Sequence, residues 1–197
     1  MLSDKSLVEK VLKGDKQAFG IIIKNTEALT AQIVFKMIDN PEDRKDIAQD
    51  IYLKAFDKLA GFKFQSKLST WIAQIAYNTC LNYLQKKKLV FPDNIHTENQ
   101  TDFDALENLG SRWNDFSVNT TEIRIAEKER AEALHYAMEE LPPVYKTLIG
   151  LFHHEELSYE EISRITGLPE GTVKSYLFRA RKFLKENIFS KYEKEEL

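Results

Sequence analysis

Leu157-Ser-Tyr-Glu-Glu-Ile-Ser-Arg-Ile-Thr-Gly-Leu-Pro-Glu-Gly-Thr-Val-Lys-Ser-Tyr-Leu-Phe-Arg-Ala-Arg181 is the stretch that decides the fold class. Ser158 followed by Glu161 has the spacing of a capping box, so a short helix carrying Ile162 and Ile165 starts there. Gly167 ends it, and Pro169 sits where a second helix opens. At about 100° per residue, Val173, Leu177, Ala180 and Leu184 fall within about 60° of each other and face a core. Lys174, Ser175, Phe178, Arg179 and Lys182 then point outward. A capped helix, a glycine turn and a basic helix form a helix-turn-helix. Its cations suit phosphates and guanine edges, and an exposed ring suits a thymine methyl or a partner surface. The alternative is a solubilising basic face on a bundle helix.

Upstream, Leu141-Pro-Pro143 closes a helix over about 122–140 and opens another with Val144, Tyr145, Leu148, Ile149 and Phe152 inward. The first part of the chain also reads as helical. Ser3 caps a helix with Leu7, Val8, Val11 and Leu12. Asp15 caps a second with Phe19, Ile22 and Ile23, and a third segment covers Leu29 to Ile38. A fourth runs from Pro41 to about Leu59, and a fifth from about Ser69 to Lys88. With 7 glycines and 5 prolines and no sustained alternation, the expectation is an all-α protein with two small helical domains, over 1–88 and 125–197. Residues 89–124 lose periodicity and read as an acidic linker, although Trp113 and Phe116 are apolar for an inert spacer.

Charge is unevenly distributed over the 197 residues, whose net charge is −3. Residues 61–88 hold five lysines and no acid, while residues 169–185 hold five bases and one acid. Local charge, not the total, governs what a surface attracts. The helix from Pro41 collects Asp43, Asp46, Gln49, Asp50 and Asp57 opposite Ile47, Ile51, Ala55 and Leu59, with Leu53 among the acids and Tyr52 and Phe56 widening the buried side. That stripe is either a docking face for a basic protein or a solvated surface. Next comes Gly61-Phe-Lys-Phe-Gln-Ser-Lys-Leu-Ser69, where aromatics and lysines interleave. The helix after it places Trp71, Gln74, Asn78, Asn82 and Gln85 along one stripe and ends in Lys86-Lys87-Lys88. Amides read base edges, rings stack on unpaired bases and lysines hold phosphates; Trp71 reads equally well as core.

No catalytic constellation stands out. His96, His135, His153 and His154 show no metal-ligand spacing with Cys80, and no glycine loop would cradle a phosphate. Neither a cofactor nor a metal is expected. The single cysteine rules out an internal disulfide. No apolar run approaches the roughly 18 residues of a membrane span, and the first residues lack a signal peptide's apolar stretch. The expectation is a soluble cytoplasmic protein.

Taken together these motifs resemble the extracytoplasmic-function group of sigma factors in the sigma-70 family. Glu42-Asp-Arg-Lys-Asp-Ile-Ala-Gln-Asp-Ile-Tyr-Leu-Lys-Ala-Phe56 is similar to the family's core-polymerase-binding helix. Phe64 to Leu84 is similar to its promoter-melting and −10 region, and Leu141-Pro-Pro143 with the helix-turn-helix to its −35 reader. The resemblance implies a non-catalytic subunit that takes RNA polymerase to promoters in response to a stress or extracytoplasmic signal. It implies docking of Asp46, Gln49, Asp50 and Leu53 on the clamp helices of the largest subunit, with the flap as a second polymerase contact. It implies that Lys63, Phe64, Ser66, Lys67 and Trp71 surround a flipped base of the melted non-template strand, with Asn78, Asn82 and Lys86 along it. Lys174, Ser175, Phe178, Arg179 and Lys182 would meet the upstream duplex. An anti-sigma factor is a common partner in the family. Lys174 and Tyr176 stand where the family often has arginine, so no promoter sequence follows. The linker acids Asp102, Asp104, Glu107 and Asp115 would partly mimic nucleic acid inside the polymerase, with abortive synthesis as the readout. A stand-alone helix-turn-helix regulator and a purely protein-binding helical adaptor remain as rival readings.

Overall fold

A computed structural model describes residues 3–87 and 132–195, with side chains through 188. Every regular element among them is helical. The linker residues named above, and the helix start expected near 122, lie outside the described residues.

Local chemistry sets the helix ends. Helix α1 (Asp4–Leu12) is capped by Ser3, and α2 (Lys16–Met37) by Asp15, whose carboxylate accepts from the Gln17 and Ala18 amides. The expected break between Ile23 and Leu29 is absent, and α2 runs through as one helix. Thr26 explains why. Its hydroxyl donates to the Ile22 carbonyl at 2.8 Å and sits 3.2 Å from the Tyr52 hydroxyl, so a poor helix former is satisfied in place. Helix α3 (Pro41–Lys58) starts with Asn40 as cap, Pro41 in the first turn, and Glu42 and Asp43 at the positive end of the dipole. A 3-10 turn (Leu59–Gly61) leads to the loop before α4 (Leu68–Lys86). Lys67 offers α4 no side-chain cap, and the Asp4 carboxylate of α1 accepts from the Leu68 amide at 3.1 Å instead.

Past the linker, residues 132–139 are helical and form α5. Then come α6 (Pro143–His153), α7 (Tyr159–Thr166) and α8 (Glu170–Glu195), the last running further than the expected end near Asn187. Helix α6 is buried on all sides from Val144 to Leu151. A helix buried all round needs partners all round. It packs on α8 within its own half and on α2 of the other half, while α7 packs on α4. The two halves therefore share one continuous core, in which Ile22, Ile33 and Ile72 join Leu148, Leu151 and Ile165. Domain orientation, unreadable from sequence, is set by this seam. Gly150 marks a close approach in it: a Cβ there would meet the Gln32 amide nitrogen at 2.8 Å.

Candidate nucleic-acid and protein interfaces

Three surfaces carry the expected residues. On α3, Asp46, Gln49, Asp50 and Leu53 are all exposed. Leu53 is 57% exposed. Asp50 accepts from Lys54 at 2.6 Å, an exposed i,i+4 pair that leaves its carboxylate at the surface. Phe56, expected inward, is 46% exposed. Its ring packs against that of Phe19 of α2, centroids 5.0 Å apart and planes 77° from parallel. Phe19, Ile23, Tyr52, Leu53 and Phe56 line an open groove of about 440 Å³, with Lys16 and Gln49 also contributing. The acidic stripe thus adjoins an apolar trough, which the reading of α3 alone missed because one wall belongs to α2.

The stripe also has a structural member. Asp43 is half-buried and accepts from the Tyr83 hydroxyl and from Lys87 Nζ, tying α3 to the end of α4. The Tyr83 hydrogen bond first, and then Lys87, hold the Asp43 carboxyl below its usual value.

The second surface is the acid-free loop and α4. Phe64 has φ of +57°, the left-handed region that a bulky residue rarely occupies. Its ring is 46% exposed and packs 4.7 Å from that of Phe62, which lies 5.1 Å from Trp71. Trp71 is half-buried and so stands between its two readings. Lys63, Lys67, Asn78, Asn82 and Lys86 are exposed, and Ser66 is half-buried with its hydroxyl donating to the Lys67 carbonyl. Strain held at an exposed ring beside a run of rings suits stacking on an unpaired base.

The third surface is the helix-turn-helix. Ser158 and Glu161 form the full reciprocal capping box, and Gly167 turns the chain at φ +72°. Ser163 Oγ donates to the Leu168 carbonyl at 2.6 Å, and the Thr172 and Val173 amides donate to the Pro169 carbonyl, so the turn is bonded on both sides. Lys174 is exposed; Ser175, Arg179 and Lys182 are half-buried. Ser175 Oγ donates to the Thr172 carbonyl at 3.0 Å, and Lys182 lies 3.9 Å from Glu186. Phe178 corrects the wheel. Expected outward, it is only 8% exposed. The buried side of α8, which packs on α6 and α7, is wider than the wheel allowed and takes in Phe178.

The second and third surfaces meet. A cleft of about 590 Å³ has Lys63, Ser66, Trp71 and Gln74 on one wall and Arg164 and Gly167 on the other. Lys67 pairs with Glu161 across it at 2.9 Å. That pair and the Ser158 amide keep the Glu161 carboxyl below its usual value. Nearby, burial and then the Tyr176 ring of α8 push the Tyr77 hydroxyl up to about 12. Among the described residues no cluster of His, Cys, Asp and Glu could hold a metal ion. None of the described helices is long and apolar enough to cross a membrane.

Two family models match the chain: "Sigma-70 region 2" over residues 22–90 and "Sigma-70, region 4" over residues 131–184. The ECF RNA polymerase sigma-E factor of Haemophilus influenzae is 32% identical, over 95% of this chain and 96% of the relative. The RNA polymerase sigma-H factor of Pseudomonas aeruginosa is 30% identical, over 90% of each. Among solved structures, CnrH in complex with the cytosolic domain of CnrY aligns with a TM-score of 0.61 at 19% identity, over 95% of this chain and 97% of that one. The sigma factor RpoE of Bartonella quintana, in complex with the anti-sigma factor NepR, aligns at 0.55 and 20%, over 91% and 97%.

Proposed function

The chain belongs to the sigma-70 family, in its extracytoplasmic-function group, and from that premise we propose how its surfaces divide the work of initiation. Members of the family bind core RNA polymerase and promoter DNA and direct initiation; they are not enzymes, and polymerase makes the bonds. In this chain the first half, residues 1–88, docks on polymerase and opens the −10 element. Residues 89–124 link it to the second half, 125–197, which reads the −35 element.

Asp46, Gln49, Asp50 and Leu53 meet the basic clamp helices, with the apolar trough taking side chains between the charges. Phe64, raised by its left-handed backbone, stacks on the flipped non-template base. Lys63, Ser66, Lys67 and Trp71 surround that base, and Asn78, Asn82 and Lys86 follow the strand. Lys174, Ser175, Arg179 and Lys182 engage the upstream duplex. Phe178 joins them only if α8 sheds what covers it. The chain works in the cytoplasm, in response to an envelope or stress signal, and an anti-sigma factor controls it by covering the α3 face and the DNA surfaces.

One observation carries the reading: a single small bundle exposes both an acidic helix face edged with apolar residues and an acid-free loop with a strained aromatic. A stand-alone DNA regulator has no use for the first, and a protein adaptor none for the second. Asp50→Lys tests it. The variant should keep its helical content and lose co-purification with core polymerase and transcription from a matched promoter. Holoenzyme of normal affinity would refute the assignment of α3.

A further inference from the structure

The helix-turn-helix contains an arrangement that neither the charge pattern nor the helical wheel reveals. Phe152, in the last turn of α6, and Tyr159, the first residue of α7, are stacked with centroids 5.0 Å apart and planes 17° from parallel. Two cations of α8 lie against this pair. Lys174 Nζ is 5.1 Å from the centre of the Tyr159 ring, and the Arg181 guanidinium carbon is 5.0 Å from that of Phe152. Arg181 is held a second time, its Nε donating to His153 Nε2 at 3.2 Å. Burial, and next the Arg181 charge, keep His153 below its usual pKa, which favours the neutral ring that can accept this bond.

Lys174 and Arg181 are seven residues apart, about two helical turns or about 10 Å along α8. Free lysine and arginine side chains sample many rotamers, and fixing them on binding costs affinity. A cation resting on a ring face has part of that freedom removed beforehand. The rings come from the two elements that flank the 154–158 loop, so they also tie the pose of α8's cations to the rest of the motif.

We propose that the stacked Phe152–Tyr159 pair is a positioning platform that presents Lys174 and Arg181 as a two-cation clamp for the phosphate backbone of upstream duplex DNA. This rests on the reading of α8 as the promoter-duplex helix. Tyr159, Phe152 and His153 are positioning residues, and Arg181 becomes a backbone contact in addition to the residues read from sequence.

The test is binding of reconstituted holoenzyme to a fluorescent promoter duplex across a salt series. Lys174→Ala should weaken binding several-fold and lower the salt slope by about one. Tyr159→Leu should do the same, and adding it to Lys174→Ala should do little more. Tyr159→Phe, which keeps the ring and loses the hydroxyl, should retain both affinity and slope. Mismatch discrimination at the −35 bases should be unchanged throughout, because phosphate contacts carry no sequence information. Core-polymerase affinity reports folding, and Tyr159→Met, which keeps apolar bulk without a ring face, replaces Tyr159→Leu should that variant not fold. A wild-type salt slope in the ringless variant, full additivity with Lys174→Ala, or equal damage from Tyr159→Phe would overturn the platform. Arg179→Ala separates the two levels. If it weakens binding while the Tyr159 variants do not, only the platform fails; if it too has no effect, the reading of α8 fails with it.

Discussion

Replacing Leu53 by alanine should weaken core-polymerase binding without harming the fold. The side chain is 57% exposed in the free chain, so that share of its surface remains to be buried on docking. Full burial of a leucine is worth about 1.5–3 kcal/mol. Covering the exposed share, less what alanine itself recovers, gives about 1 kcal/mol, or about five- to tenfold in Kd. Stability should change by no more than about 0.5 kcal/mol, as for other exposed positions. Leu12 is the internal control. It is a leucine of nearly equal exposure, 54%, and does not line the groove. Labelled protein titrated with core polymerase should show the loss for Leu53→Ala and none for Leu12→Ala. Equal losses would mean general surface hydrophobicity, and no loss at Leu53 would remove the groove from the docking face.

Three further expectations concern other parts of the molecule. Asp43 is held below its usual pKa by Tyr83 and Lys87, so its contribution is present above the ordinary carboxylate value of about 4 and is lost as pH falls through the lower folded value. Tyr83→Phe should raise the Asp43 titration midpoint, read by NMR, and shift acid unfolding to higher pH; an unmoved midpoint would dismiss the hydrogen bond as its cause. Cys80 is fully buried, and burial pushes its thiol up to about 12, so a thiol reagent at neutral pH should react only as fast as the chain opens. Fast labelling of native protein would contradict that packing. At Gly150 an alanine needs only a swing of the Gln32 side chain, whereas Gly150→Phe should wedge the halves apart and enlarge the radius of gyration in small-angle scattering. An unchanged radius would show that α6 does not form the seam.

Features governed by local rules were legible in the sequence. The capping box at Ser158, the stop at Gly167, the Asp15 cap and the proline start of α6 each depend on residues within one turn. Features that depend on a distant neighbour were not. The continuity of α2 turns partly on Tyr52 reaching Thr26, and Phe56 pairs with Phe19 of another helix. Phe178 was misplaced because a wheel has one inside and one outside. The strained Phe64 gave no signal, since the sequence pattern offers no glycine to mark a positive φ. One cue to the seam was available and unused: α6 is apolar nearly all round, and a helix at the edge of a small domain has no reason to be.

That shared core couples the two halves, so any form in which they have parted must break it. Lys63, Trp71 and Gln74 face the cleft, whereas the α3 groove is not among its walls. A ligand that needs the cleft surfaces but is too large for the cleft selects molecules whose halves have parted. Were the parted form about one in a hundred, such a ligand would bind about a hundredfold more weakly than its intrinsic affinity. A ligand of α3 bears no such handicap and can meet either population. Encounter order is thereby biased toward polymerase first and promoter second. Single-stranded DNA should find the closed chain a far poorer host than a chain whose halves have parted.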